Sequence, residues 1–178
     1  FWEGFAELSR HVPFCIWGVG CCAVKRDGPP QVSELVAEIV ARSQLCVVRD
    51  ELTRALFTRH ALPPPVICPA VAAVEPDPIG VSRGVLHVDH YNDVGAEIFE
   101  RMEEITRDFA HRTDRPYLHT NNVIPKSDER ELEHVLARYR AADIVVSSRL
   151  HGCIIGLATT RPVIAVAGDA KVVAFDLA

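Results

Sequence analysis

Apolar residues recur along this chain in two alternating rhythms, short unbroken runs and longer stretches spaced three and four apart, and the alternation predicts strands and helices in turn. Val12 to Val19 is an apolar run ending in Gly18 and Gly20. Gln31 to Arg42 follows, with Val32, Leu35, Val36, Ile39 and Val40 at helical spacing. Gln44 to Val48 is again strand-like, Asp50 is placed to cap a helix running through His60, and Pro63-Pro64-Pro65 stops that helix before a short strand, Val66 to Cys68. The expected order is β-α-β-α-β. From Pro69 to Arg83 the period is lost, and Pro69, Pro76, Pro78 and Gly80 mark a connection.

The pattern restarts with Gly84 to Asp89 as a strand. A long helix from Val94 to His111 follows, its apolar face made of Val94, Ile98, Phe99, Met102, Ile105 and Phe109. Arg115 to Thr120 reads as a strand. Ser127 or Asp128 caps a helix carrying Leu132, Val135, Leu136 and Tyr139 on one side. Ala142 to Ser147 reads as a buried parallel strand, Leu150 to Thr159 as a helix with little polar surface, and Pro162 to Val166 as a last strand. Strands alternating with helices of this length mean parallel βαβ units. The expectation is therefore an α/β chain of two Rossmann-like lobes with parallel sheets, incomplete at both ends: a partial first lobe over residues 1–75, a linker over 76–83, and a second lobe over 84–178.

Composition narrows the partners. A chain of 178 residues with 48% hydrophobic content builds an ample core. The net charge of −5, with no basic stripe, argues against nucleic acid. Six cysteines without CxxC spacing sit mostly in apolar runs, which reads as buried reduced thiols in a reducing, cytoplasmic compartment. Neither an apolar run long enough to span a membrane nor a charged-then-apolar leader is visible. The chain opens at Phe1 and stops at Ala178 within an amphipathic segment, which reads as a piece of something longer.

The candidate chemistry gathers where strands hand over to helices, because ligands of open α/β sheets bind outside the carboxyl ends of the strands. Ser148, Arg149 and His151 stand at such a junction with Gly152 beside them. A helix start offers unpaired N–H groups and positive dipole, an arginine fork matches carboxylate or phosphate oxygens, and an imidazole exchanges a proton near neutral pH. An anion site with acid–base capacity is the reading. Arg49-Asp50 and Gly168 to Lys171 also follow strand ends. Asp50 and Asp169 are explained as N-caps, while Arg49 and Lys171 are candidate substrate contacts that also read as solvated surface charges.

Three further patterns are weaker. Gly18-x-Gly20 is a partial dinucleotide motif without its third glycine. His87-x-Asp89-His90 has metal-like residue types, but a strand's alternation puts His87 and Asp89 on one face and His90 on the other, so no metal and no cofactor is expected. Asn121-Asn122 reads as a turn.

The run Ala142 to Gly152, with Arg149-Leu150-His151 at its centre, resembles the C-terminal block of the polysaccharide pyruvyl transferase family, as do Pro162 to Val166 and Lys171 to Phe175. Val47 to Leu52 resembles that family's first-lobe signature, and Pro76-Asp77-Pro78 is similarly spaced, so the resemblance covers most of residues 12 to 178. It implies a GT-B-like two-lobed fold and a transferase moving the pyruvyl group of phosphoenolpyruvate onto a sugar of a cell-surface or exopolysaccharide glycan, often as a ketal, with a soluble or lipid-linked acceptor. In that frame His151 and Arg149 are catalytic, and Arg49, Ser148, Gly152 and Lys171 bind substrate without a metal. A homo-oligomer is compatible with it. Departures are the absent opening strands and acceptor loops of the first lobe, and Gly168-Asp169 where an aromatic-containing turn is expected. The competing readings are a nucleotide-sugar glycosyltransferase of the same architecture and a non-catalytic binding module.

Overall fold

The structure is a computed structural model that describes residues 2–20, 32–72, 74–76, 83–89, 96–124, 129–166 and 172. It is α/β with parallel sheets, and it divides into two compact units between Pro69 and Ala70. Among the described residues no helix is long and apolar enough to cross a membrane.

In the first unit, helix α1 (Trp2–Leu8) precedes strand β1 (Cys15–Val19), helix α2 (Glu34–Arg42), strand β2 (Leu45–Val48) and helix α3 (Glu51–Leu56). The two strands pair in parallel, with Cys15 opposite Leu45 and a bulge at Gly18. Val40, Cys46, Val48 and Phe57 form the core, and Ile16, Val36 and Leu62 pack against it. Ser33 caps α2 by accepting from the Val36 N–H at 3.3 Å. Asp50 caps α3 as its position predicted, although that helix ends at Leu56 rather than His60.

The structure departs from the expectations at several points. Val66 to Cys68 is not a strand: among the described residues its link to the sheet is the Val66 N–H donating to the Val48 carbonyl at 2.9 Å. Pro63 to Pro65 and Pro69 flank it without a backbone donor, so a ladder does not propagate. Helix α1 was not foreseen, nor was the short helix α4 (Pro69–Ala72) in the stretch read as a connection. Among the cysteines, Cys46 and Cys153 are buried, but Cys15 is exposed on the open face of β1.

The second unit holds strand β3 (Gly84–Val88), helix α5 (Ala96–Arg112), strand β4 (Tyr117–Thr120), helix α6 (Glu129–Arg140), strand β5 (Ala142–Ser147), helix α7 (Leu150–Ala158) and strand β6 (Val163–Ala165). Its four strands are parallel in the order β4-β3-β5-β6. The chain therefore runs outward from β3 to β4 on one side and then resumes at β5 on the other, which makes the gap between β3 and β5 a topological switch point.

One face of this sheet packs Leu86, Val88 and Val145 against Val135 and Tyr139 of α6, with Ile155 of α7 adjoining. The opposite face packs Val85 and Val146 against Met102 and Ala110 of α5. The apolar face predicted for α5 is half right. Met102 is buried, whereas Ile98 and Ile105 are more than half exposed and open onto an apolar groove of about 640 Å³ shared with Val146, Ile164 and Val166. The buried stripe runs instead through Met102, Thr106 and Ala110 at i, i+4 spacing. Thr106 fits there because its hydroxyl donates to the Met102 carbonyl at 2.6 Å. The expected caps of α6 and the linker residues 77 to 82 lie outside the described residues.

Candidate active site at the switch point

Register fixes where the site lies. Val88, Thr120, Ser147 and Ala165 form the last row of the sheet, so Asp89, Asn121 and Ser148 emerge together just beyond it. The Ser148 N–H donates to the Val88 carbonyl at 3.1 Å, and the Asp89 N–H to the Thr120 carbonyl at 3.3 Å, which binds the three exits to one another.

The turn into α7 is built around Ser147. Its buried hydroxyl accepts from the Arg149 N–H at 3.1 Å and donates to the Arg149 carbonyl at 2.9 Å, locking the step from strand to helix. Gly152 is required by close approach: a Cβ there would collide with the Ser147 hydroxyl and come within 2.9 Å of the Val88 side chain. This seats the first turn of α7 directly on the strand ends.

That helix start is left open. Arg149 occupies the N-cap position and makes no side-chain cap hydrogen bond, so no cap side chain covers the positive end of α7. Arg149 is half-buried, and its Nη1 donates to the Asn121 carbonyl, which holds the guanidinium over the end of β4. Ser148 is fully buried, yet its hydroxyl makes no hydrogen bond. An uncapped helix terminus, a fixed arginine and an unsatisfied buried hydroxyl are three donors gathered on one turn, an arrangement suited to anionic oxygens. His151 is exposed on the first turn.

Asn121 and Asn122 form the turn expected of them. Asn121 Oδ1 accepts from the Val123 N–H at 2.9 Å, and Asn122 adopts a left-handed backbone with φ of 56°. Asn122 Nδ2 donates to the Tyr139 hydroxyl at 2.7 Å; burial pushes the Tyr139 phenol well above its ordinary range, with the Asn122 bond opposing the shift.

Of the remaining predicted contacts, Arg49 belongs to the other unit. There its Nε lies 3.5 Å from Asp50 Oδ2, and its guanidinium covers Gly20 so closely that any Cβ at that position would overlap it. The Gly18-x-Gly20 pattern thus serves a bulge and an arginine. Lys171, Asp169 and His90 lie outside the described residues.

Sequence reasoning missed a second polar group on the α5 face. His119 Nε2 stands 3.1 Å from Asp89 Oδ2, and His87 and His119 are register partners with ring centroids 5.3 Å apart. The buried His87 takes part in a 2.8 Å hydrogen bond between its Nδ1 and the Tyr117 hydroxyl. Burial first, and then His119, holds the His87 imidazole below its ordinary value, while burial pushes Tyr117 up to about 12. The available signal was the recurrence of His87-x-Asp89 and Tyr117-x-His119 on two strands, which has no meaning until their pairing is known. Among the described residues no group of three histidine, cysteine or acidic side chains is placed to hold a metal ion.

A family model described as polysaccharide pyruvyl transferase matches residues 1–169. The chain belongs to that family. As a member of the polysaccharide pyruvyl transferases it is an enzyme, and the Arg149-Leu150-His151 turn occupies the switch point of its second unit. No curated protein and no solved structure matches the chain significantly.

Proposed function

We propose that this pyruvyl transferase takes its pyruvyl group from phosphoenolpyruvate and installs it on hydroxyls of a sugar in a cell-surface or exopolysaccharide glycan, soluble or lipid-linked, and that its two units are the lobes of a GT-B-like architecture. The observation that carries the reading is the open start of α7. Arg149, the helix start without a side-chain cap and the unsatisfied Ser148 hydroxyl suit a ligand bearing both carboxylate and phosphate. Arg149 steadies the charge that accumulates on phosphate as it departs, and His151 delivers the proton that turns the enol methylene into a methyl group. Arg49, following β2, is read as a further substrate contact. Use of phosphoenolpyruvate fits a cytoplasmic enzyme.

Calorimetric titration with phosphoenolpyruvate, inorganic phosphate and UDP-sugars tests this. Saturable binding of phosphoenolpyruvate that disappears in Arg149→Ala is expected. Saturable binding of UDP-sugars alone would replace the pyruvyl donor with a nucleotide sugar.

A further inference from the structure

Ketal formation needs two proton-handling groups, one to protonate the enol carbon and one to accept the proton of the attacking hydroxyl, and the turn at Arg149 presents only His151. The second sits two strands away, on β4. His119 is 44% exposed at its side chain, so a ligand can reach it, and Asp89 behind it is 27% exposed. Asp89 Oδ2 stands 3.1 Å from Nε2, and a neutral ring that keeps its Nε2 proton toward that carboxylate carries its lone pair on Nδ1. Asp89 Oδ1 is buried and makes no hydrogen bond, so the interaction with His119 is the carboxylate's own.

The neighbouring charges are accounted for, with Glu103 within electrostatic reach of His119. Behind it on β3, His87 is buried and held toward its neutral form, so no second cation competes for Asp89. On α5, Glu103 is engaged by Arg107 at 2.7 Å, and Arg107 in turn lies 4.0 Å above the Tyr117 ring. The pair is also joined to the anion-binding turn. Asn121, two residues beyond His119, accepts from Arg149 Nη1, and Ser148 donates its N–H to the carbonyl immediately before Asp89.

We propose that His119 is the general base for the acceptor sugar, that Asp89 is its positioning residue, and that the acceptor hydroxyls bind at the exits of β3 and β4. This inference rests on the pyruvyl-transfer reading. The first hydroxyl gives its proton to His119 Nδ1 as its oxygen bonds to C2 of phosphoenolpyruvate, and the C2–C3 π pair takes a proton from His151. The C2–O bond to phosphorus then breaks with its electron pair leaving on phosphate, and the second hydroxyl adds to C2. One hydroxyl proton is recovered in the new methyl group, the other departs on hydrogen phosphate, and the ketal carboxylate remains.

The test compares the unaltered protein with His119→Gln and Asp89→Asn. Phosphate release from phosphoenolpyruvate is followed across pH with a panel of methyl glycosides bearing free 1,3- or cis-1,2-diols, and phosphoenolpyruvate affinity is measured separately. A loss of about 10²–10⁴-fold in kcat for His119→Gln is expected, with phosphoenolpyruvate affinity and denaturation midpoint unchanged and the acid limb of the kcat/KM profile gone. Asp89→Asn should lower kcat in the same direction, because an amide can present its N–H to the ring and invert the tautomer. Full activity of His119→Gln with the acid limb intact overturns the assignment of the base and leaves pyruvyl transfer standing. Absence of phosphate release by the unaltered protein with every diol, together with no phosphoenolpyruvate binding, overturns the donor reading and this inference with it.

Discussion

Two strand ends in this molecule deliver an arginine to the start of a helix, and they finish the helix differently. After β2, Asp50 follows Arg49, takes the N-cap position of α3 and accepts from the Thr53 N–H at 2.6 Å, so the helix satisfies its own terminus. After β5, the arginine itself is the N-cap, no side chain closes α7, and the neighbouring Ser148 hydroxyl is buried without a bond. A missing cap costs about 1 kcal/mol, and an unsatisfied buried hydroxyl costs about 1–3 kcal/mol. The first turn is closed by its own side chain; the second carries no side-chain cap.

The largest effect that sharpens this contrast is on catalysis. Arg149→Ala should reduce kcat for phosphate release from phosphoenolpyruvate by about 10²–10³-fold while the far-ultraviolet spectrum stays unchanged; a variant with full turnover would reduce the open turn to a structural curiosity. Next, Gly152→Ala should destabilise the second unit by about 1–3 kcal/mol, read as a lower urea midpoint, because the added methyl has the Ser147 hydroxyl and Val88 in its way. Wild-type stability in that variant would mean α7 is not seated tightly on the strand ends.

Capping provides a direct exchange between the two turns. Asp50→Ala should cost about 1 kcal/mol, whereas Arg149→Asp, which gives α7 the cap it lacks, should gain about 1 kcal/mol and abolish activity. Equal and opposite stability changes, measured by urea denaturation, are the expected signature; destabilisation by both would show that Arg149 matters more to packing than to ligand.

The smallest effect concerns pH. Because His87 is held below its ordinary value of 6.5 by burial, the unfolded chain takes up a proton before the folded one does. Its contribution to stability is complete above pH 6.5 and is lost as pH falls toward the folded-state value. His87→Gln should flatten the dependence of the unfolding free energy on pH below 6.5; an unaltered slope would assign that limb to other groups.

How much of this was legible varied with the range of the interactions involved. The strand Ala142–Ser147, the helix starting at Leu150 and the Asp50 cap were readable because periodicity and capping are local. The absent strand at Val66 and the exposed Ile98 and Ile105 were misread for the opposite reason. Whether an apolar residue is covered depends on which element packs beside it, and α5 meets the sheet through Met102, Thr106 and Ala110. His119 went unnoticed because a histidine inside a strand is ordinary until its partner is known.

The sequence alone determined the alternation of strand and helix, the parallel α/β class, and the chemistry available at the Ser148–Gly152 turn, since each follows from residue type and short spacing. Only the tertiary structure decided that Val88, Thr120 and Ser147 end in one row, that β3 and β5 flank the switch point, and that His119 meets Asp89. Register and strand order are set by packing between segments distant in the chain, and no local pattern encodes them.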